Sequence, residues 1–261
     1  MISRGRLFLY RLIFGVLLLA FWELSSGRLI DPFWVSSPSA VFKYLYGVIA
    51  DGSIFGHLAI TLYETFSGFF IGAIFGIGLG FALGRREVLA QVLDPFVVAF
   101  NGIPRIALAP LFIIWFGIGT TSKVILVVSV VFFLTFFNTY AGVKGVDAEL
   151  KNILRIMGAS ERQILIKVTL PSIVPWITTG LKISLPYAIV AAVVGEFIAA
   201  SKGLGYLINY NTSLFSTTGA LGGILILALV VVLCNEVITR AEAYFLRWRP
   251  SAEKKSEGEL Y

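Results

Sequence analysis

Long apolar stretches recur along the whole chain and are separated by short polar segments. A helix needs about 20 apolar residues to cross the roughly 30 Å hydrocarbon core of a bilayer. Six stretches approach or exceed that length, near residues 7 to 24, 58 to 83, 95 to 116, 123 to 142, 176 to 200 and 221 to 241. The pattern predicts an all-α, polytopic membrane protein with about six transmembrane helices and both termini on one side.

Composition agrees with a membrane protein and excludes a soluble domain. Hydrophobic residues make up 57% of the chain and charged residues only 14%, and the mean hydropathy is +0.88. These values lie outside the range of soluble globular domains. Three basic residues precede the first apolar stretch, as in a signal peptide, but no small-residue cleavage site follows Trp22 and Glu23, which favours an uncleaved first helix.

The distribution of Lys and Arg predicts the orientation. Fifteen of the 21 basic residues fall in the N-terminal end, the 85–90 turn, the 143–172 loop and the C-terminal end, whereas the opposite segments hold only Arg28, Lys43, Lys123 and Lys202. By the positive-inside rule, both termini and the 143–172 loop are cytoplasmic. The net charge of +6 is explained by this cytoplasmic excess of Lys and Arg, which faces the anionic lipids of the inner leaflet. No nucleic-acid partner is needed to account for it. We expect a multi-pass protein of a prokaryotic plasma (inner) membrane.

Three parts are expected along the chain. Residues 1–57 hold the first helix and an outer segment, 58–245 the main transmembrane domain, and 246–261 a charged cytoplasmic tail. Within the outer segment, Ser36-Ser37-Pro38-Ser39 predicts the start of a helix and Asp51-Gly52 its end, with apolar residues at helical spacing between them. The sole histidine, His57, is interpreted as an interfacial anchor or cap rather than a ligand.

Five glycines spaced four apart mark the second span, at Gly68, Gly72, Gly76, Gly80 and Gly84. Such a stripe lets another helix backbone approach closely. Because each step of four residues overshoots a full turn by about 40°, we expect the stripe to wind around its helix and to face more than one neighbour.

Pro104 and Pro110 interrupt the third span, and Pro175 and Pro186 the fifth. Such prolines bend a helix, and they are tolerated where protein or water forms hydrogen bonds with the carbonyls that the proline leaves without a partner.

A polar segment at 158–171 predicts two short helices that meet at a corner. Gly158 is a helix-ending residue of the left-handed type, and Ser160 with Gln163 forms an S-x-x-Q capping box that starts the next helix. Leu170-Pro171 is expected to end that second helix. A defined surface of this kind, on the water side of a membrane protein, suggests a partner.

Several kinds of chemistry are missing from the sequence. There is no G-x4-G-K-[ST] phosphate-binding loop, and no lysine directly follows a glycine, so ATP is not bound by that route. No cluster of His, Cys and carboxylate residues has the spacing of metal ligands. A Ser-His-Asp triad on the cytoplasmic side is also excluded, because the only histidine, His57, is expected on the opposite side of the membrane. Cys234 lies in an apolar span, where a packing role is expected. We therefore expect no cofactor, no metal and no catalytic residues.

Four ionisable residues lie inside predicted spans, where each costs about 2.5 to 3.5 kcal/mol on insertion scales. They are Glu64, Arg105, Lys182 and Glu196. Two interpretations stay open. These residues line a translocation path or its outer gate, or the two cations neutralise the two carboxylates and hold the bundle together.

The 143–172 loop resembles the cytoplasmic coupling loop of binding-protein-dependent ABC importer permeases, written E-A-A-x3-G-x9-I-x-L-P. Gly158 and Leu170-Pro171 keep the spacing of that motif, whereas Asn152, Ile153 and Leu154 stand in place of the E-A-A triplet. Three further segments look like the nitrate, sulfonate, taurine and bicarbonate importer permeases: 103–111, 116–119 and 195–206. The resemblance runs from about residue 36 to 240.

That resemblance implies a type I importer fold and a set of partners. These are cytoplasmic ATPase subunits, an extracytoplasmic solute-binding protein, a second permease subunit that is identical (a homodimer) or related, and membrane lipid. Transport is then ATP-driven, hydrolysis belongs to the ATPase, and the solute is small and anionic. The residues that the resemblance assigns to ATPase coupling are Asn152, Ile153, Leu154, Arg155, Met157, Gly158, Ala159, Ser160, Leu170 and Pro171.

Two other classes of membrane protein are alternatives to an ABC importer permease. An ion-coupled secondary carrier would explain the ionisable residues within spans, but such carriers usually show two repeated halves, and none is visible here. An integral membrane enzyme lacks any catalytic constellation in this sequence.

Overall fold

A computed structural model describes residues 4–247, and the regular structure there is helical. The helices are α1 (Arg4–Ser25), α2 (Pro32–Val35), α3 (Pro38–Ala50), α4 (Ser53–Gly84), α5 (Glu87–Asn101), α6 (Ala109–Phe116), α7 (Thr120–Lys144), α8 (Ala148–Ile156), α9 (Glu161–Ile164), α10 (Leu170–Ile198), α11 (Leu204–Ser213) and α12 (Thr217–Phe245). The prediction of an all-α membrane fold is confirmed. The expected tail at 246–261 lies almost wholly outside the described residues.

Five of these segments are long and apolar enough to cross a membrane: Gly5–Ser25, Ser53–Gly84, Thr120–Lys144, Glu161–Ile198 and Thr217–Phe245. The predicted third span is instead a pair of helices, Ala90–Asn101 and Arg105–Phe116, bent by 76° at a short break. Gly102 and Pro104 lie in that break, and a proline there cannot donate the hydrogen bond that would continue α5. Counting the bent pair as one span gives the six that the apolar pattern predicts.

The core of the bundle is made by α4, α7 and α10. Gly68 of α4 lies against Val127 of α7, and Gly84 against Val143, so these two helices run parallel. Helix α10 runs antiparallel to α7, because its Gly180 meets Asn138 and its Gly195 meets Lys123. Helices α6, α11 and α12 pack around this triple.

All five glycines of the stripe lie against α7. The atoms nearest to a Cβ added at any of them belong to α7 residues between Val124 and Val143. The expectation that the stripe faces more than one neighbour is therefore wrong. The α7 residues in the seam, Val127, Val131, Thr135, Thr139 and Val143, are also four apart, so both contact stripes wind in the same sense and stay in register.

The N-terminal region packs at the margin of the bundle. Helix α3 has the predicted bounds, with the Ser37 side chain accepting a hydrogen bond from the Ala40 backbone N–H. The Trp22 indole of α1 donates to the Val35 carbonyl, and the Glu23 carboxylate accepts from the Ser39 N–H and hydroxyl. These contacts hold α1 to the α2–α3 segment, which in turn packs against α12.

Replacing Gly76 with Leu tests the α4–α7 seam. A Cβ at Gly76 would lie 2.5 Å from the Phe132 carbonyl oxygen, so the two helices must separate, at a cost of about 1 to 3 kcal/mol or more. Gly78→Leu is the matched control, because a Cβ at Gly78 has no neighbouring atom within 4 Å. We expect a lower thermal unfolding midpoint in detergent for the Gly76 variant only. Equal midpoints for the two variants would contradict the packing described here.

Candidate functional site

A sharp corner joins α8 to α9, and Gly158 ends α8 as the sequence predicts. Gly158 has a φ of +84°, in the left-handed region that favours glycine. The Gly158 N–H donates to the Arg155 carbonyl at 3.0 Å, and the Ala159 N–H donates to the Leu154 carbonyl at 2.9 Å. These two bonds form a Schellman motif, which satisfies carbonyls left open at the end of α8.

The predicted capping box starts α9. The Ser160 N–H donates to the Gln163 side-chain oxygen at 2.8 Å, and the Gln163 N–H donates to the Ser160 hydroxyl at 3.3 Å. The Arg155 guanidinium pairs with the Glu161 carboxylate at 2.7 Å and donates to the Asn152 side chain at 3.2 Å. The hydrogen bond and the carboxylate's charge raise the pKa of Arg155. Arg155 thus ties α8 to α9 across the corner.

Leu170-Pro171 does not end a helix, and that part of the prediction is wrong. The chain passes from α9 through a π-helical turn, Leu165–Thr169, directly into α10. The Leu170 N–H bonds to the Leu165 carbonyl five residues back. A π turn is wider than an α turn, so it accommodates the missing N–H of Pro171 without breaking the helix. The fifth span is consequently longer than the apolar pattern indicates, and it connects to the corner without an intervening loop.

The tip of the corner is apolar and exposed. Ile156 is 86% exposed and Met157 77%, and Ile153 beside them is exposed as well. Met157 also lines a groove of about 330 Å³, together with the half-buried Leu154 and with Ala159, Gln163 and Val168. A contiguous exposed apolar surface on a rigid polar loop is typical of a protein interaction site.

At the other end of the bundle, the structure brings Glu64 and Glu196 together. Each is only 1% exposed, and the two carboxyl groups lie within electrostatic range of each other. Glu196 also accepts from the Thr61 hydroxyl and from the Gly205 N–H, both at 2.6 Å. Among the described residues, one Glu64 oxygen (Oε2) has no hydrogen-bond partner.

Lys123 is the residue of this cluster that the sequence analysis missed. The distribution of basic residues places Lys123 in the outer segments, but it is only 3% exposed, and its ammonium donates to the Ile118 and Gly119 carbonyls at 2.5 and 3.1 Å. Its charge acts on both Glu64 and Glu196. A usable signal existed: Lys123 is the first residue of the predicted fourth span, where a charge is costly and is expected to find a partner.

The buried carboxyl groups also position the turn between α10 and α11. Gly203 has a φ of +120°, and a side chain there would collide with the Glu196 carboxyl. The Gly203 N–H contacts Nδ1 of His57 at 3.1 Å, and the Leu204 N–H donates to the Thr61 hydroxyl at 2.8 Å. His57 therefore caps this turn, and cap is one of the two roles, anchor or cap, that the sequence predicts for it. Within residues 4–247, no group of His, Cys, Asp and Glu side chains could hold a metal ion.

Arg105 and Lys182, the two predicted cations, lie elsewhere. Arg105 follows the break after α5, donates to the Asn101 side chain at 3.1 Å, and places its guanidinium 4.1 Å from the centre of the Phe133 ring. Lys182 pairs with Glu242 of α12 at 2.7 Å. The alternative in which these two cations neutralise Glu64 and Glu196 is therefore wrong, and Lys123 is the cation beside those carboxyl groups.

Sequence comparisons agree with the helical architecture. The family model described as binding-protein-dependent transport system inner membrane component matches residues 68–249. The chain is 32% identical over 243 residues to a putative aliphatic sulfonates transport permease protein of Bacillus subtilis, covering 93% of this chain and 88% of the relative. It is 33% identical over 237 residues to a formylaminopyrimidine transport permease protein of Halalkalibacterium halodurans, covering 91% and 94%.

A solved structure shares the fold. A chain of the MetNI methionine ABC transporter, in an inward-facing conformation, superposes with a TM-score of 0.61 at 22% sequence identity. The match covers 72% of this chain and 94% of the solved one. The shared part is the helical transmembrane architecture.

Proposed function

We propose that the corner between α8 and α9 transmits the motion of an ATPase to the membrane spans. The basis is that the chain belongs to the binding-protein-dependent transport system inner membrane component family and is a permease subunit of an ABC importer. Membership of this family implies ATPase and solute-binding-protein partners. The observation that supports the coupling role is the exposed apolar tip, formed by Ile153, Ile156 and Met157. The corner that carries it has a Schellman motif at the end of α8 and a capping box at the start of α9.

Rigidity of the corner is what makes it suitable for coupling. The Schellman motif, the capping box and the Arg155–Glu161 ion pair fix α8 relative to α9, and the continuous helical path from α9 into α10 leaves no flexible joint. A displacement of the tip would then move α10, whose far end carries Glu196. Closure of an ATPase dimer would by this route switch the spans between inward-facing and outward-facing states.

The proposed orientation follows the basic residues. The corner and both termini are cytoplasmic, and the Glu196–Tyr206 segment faces outward, where a solute-binding protein would deliver its ligand. ATP hydrolysis belongs to a separate subunit, since this sequence carries no phosphate-binding loop. The working unit is a pair of identical permease subunits in a prokaryotic plasma membrane. Residues 58–245 form the transport domain, and 143–172 its coupling loop.

The proposed solute is small and anionic. The relative from Bacillus subtilis is named for aliphatic sulfonates. Arg105 is partly exposed at the bend between α5 and α6, and its guanidinium lies against the Phe133 ring. In this apolar setting, an anionic solute would bind the guanidinium more strongly than in water. The relative from Halalkalibacterium halodurans is named for a pyrimidine, so the choice of solute is assigned to the binding protein rather than to this fold.

A second candidate function is ion-coupled transport, and the Glu64–Glu196–Lys123 cluster is the observation that favours it. Buried ionisable residues inside spans often serve proton or ion relays. The same groups, however, hold the 199–205 turn through Thr61 and Gly205, which gives them a structural role near the proposed outer gate. Uptake that persists without the ATPase and stops when the proton gradient is collapsed would favour the carrier.

Gly158→Val tests the coupling role. A β-branched residue at a φ of +84° costs about 1 to 2 kcal/mol, and nothing crowds the position within 4 Å, so the effect comes from the backbone alone. We expect ATPase association to weaken by about 5- to 30-fold, with insertion into the membrane unchanged. The measurement is co-purification of the ATPase at matched permease yield.

Gly158→Asn is the matched control, because asparagine visits the left-handed region readily. It should retain most of the association. Full uptake and normal association in the valine variant would refute the coupling role, and equal losses in both variants would show that the backbone conformation is not what matters.

Arg105→Gln tests the path. If Arg105 meets an anionic solute, the variant should assemble normally but transport roughly tenfold more slowly or worse, as expected when a desolvated charge partner is removed. Lys182→Gln and Glu196→Gln are the contrasts, because their hydrogen bonds join different helices: Lys182 of α10 to Glu242 of α12, and Glu196 of α10 to Thr61 of α4 and Gly205 of α11. The hydrogen bonds of Arg105 are local, to Phe100 and Asn101. The Lys182 and Glu196 variants should lower the yield of folded protein.

The measurement is uptake per assembled complex in proteoliposomes that contain the ATPase and the binding protein. A normal rate per complex with a reduced yield in the Arg105 variant would assign Arg105 to structure, and the path proposal would fail.

A further inference from the structure

The chain enters α10 through a turn that is wider than the helices on either side of it. In the π turn, Leu165–Thr169, the Leu170 N–H donates to the Leu165 carbonyl five residues back, whereas an α turn joins residues four apart. The π turn therefore holds one residue more than an α turn. Each α-helical residue turns the chain by about 100°. Compared with an α-helical path, the extra residue thus rotates the corner by about 100° about the local helix axis.

Pro171 follows this turn almost directly. In a regular α-helix, the N–H of residue 171 would donate to the Lys167 carbonyl, four residues back. Proline has no N–H, and its ring collides with that carbonyl. A wider turn before the proline moves the carbonyl away from the ring, so the π form is the one that Pro171 favours.

Two further prolines of α10 show that a proline alone is not sufficient. The backbone at Pro175 and Pro186 stays α-helical. Both lie in the packed part of the bundle: Ile173, two residues before Pro175, is 1% exposed, and Leu185, next to Pro186, is 3% exposed. Close packing against neighbouring helices leaves no room there for a wider turn.

The π turn does have room. Leu165 and Thr169 line a cavity of about 550 Å³, and Lys167 and Val168 line the groove of about 330 Å³ beside the tip. Empty space next to four of the five residues means that packing does not impose the wide form. Pro171 is the local feature that explains it.

We propose that Pro171 is a positioning residue for coupling. It keeps the preceding turn in the π form, and the extra residue in that turn sets the direction in which the corner presents Ile156 and Met157. With an N–H at position 171 the turn can close as an α turn, and the tip then rotates away from its present direction. A point on the surface of a helix about 11 Å across moves about 8 Å when it turns by about 100°. The functional meaning of this geometry rests on the proposed coupling role.

Double electron–electron resonance on the spin-labelled, full-length permease measures the direction of the tip. In the Cys234→Ala background, one label is placed at Ile156→Cys. The second is placed at Ile74→Cys of α4 or, in a separate sample, at Val237→Cys of α12. The native side chains at these three labelled positions are exposed. Two reference helices are used because a rotation can leave one distance unchanged.

The variant is Pro171→Ala, and the matched control is Pro175→Ala, which supplies an N–H where the backbone is already α-helical. Wild type and control should each give a single distance to each reference. Pro171→Ala should add a second population, displaced by about 8 Å relative to at least one reference. Deleting Ile166 from the Pro171→Ala variant removes the extra residue, so an α-helical path again points the tip in the native direction. This double variant should return to the wild-type distances.

Unchanged distances in Pro171→Ala, an equal displacement in Pro175→Ala, or a displacement that the Ile166 deletion does not reverse would overturn the proposal. If the double variant elutes as an aggregate, Pro171→Ala and its control decide alone. If Pro171→Ala itself aggregates, Pro171→Ser takes its place, because serine also supplies the N–H.

Co-purification of the ATPase with the unlabelled variants separates the role of Pro171 from the coupling role. Pro171→Ala should retain about fivefold less ATPase, and the Ile166 deletion should restore the retention. Displaced distances with normal ATPase retention would contradict the coupling role and leave the role of Pro171 in the geometry standing. Unchanged distances with reduced retention would contradict the role of Pro171 and leave the coupling role standing.

Discussion

The close approach of α4 and α7 along five glycines is the contact on which both ends of the molecule depend. Lipid is as apolar as the side chains, so association of helices within a membrane comes from close packing rather than from the hydrophobic effect. At one end the seam sets Thr61 and Glu64 beside the start of α7, where Lys123 lies buried. At the other end it places Gly84 and Arg85 next to Val143 and Lys144. The proposed gate and the proposed coupling surface are thus built on the same pair of parallel helices.

Helix α10 links these two ends. It begins next to the corner, continuing from α9 without a break, and it ends at Glu196 and the turn that Gly203 makes. Its Gly180 and Gly195 allow close contact with α7. A rigid element that touches both sites is a suitable carrier for a mechanical signal, because packed helices shift as units rather than deform continuously. The buried carboxyl groups at its far end then have a role in keeping the outer turn in one position.

Features that depend on neighbouring residues in the sequence could be predicted. The Gly158 helix end, the Ser160–Gln163 capping box and the bounds of α3 all follow from local backbone chemistry, and the structure confirms them. Features that depend on which helices meet could not be predicted. The burial of Lys123, the Lys182–Glu242 ion pair and the single partner of the glycine stripe are set by the tertiary arrangement. Leu170-Pro171 misled because a proline usually ends a helix, whereas here a π turn absorbs it.

Site-specific crosslinking tests the coupling claim most directly. The chain has one cysteine, Cys234, so a Cys234→Ala background gives a cysteine-free permease into which single cysteines can be placed. Ile156→Cys lies at the exposed tip of the corner, and Phe215→Cys, 75% exposed at the opposite end of the bundle, is the matched control. With the partner ATPase present in membranes, the account predicts a permease–ATPase adduct at position 156 whose yield changes with ATP, and none at 215. Absence of the adduct at 156, or equal adducts at both positions, would contradict it.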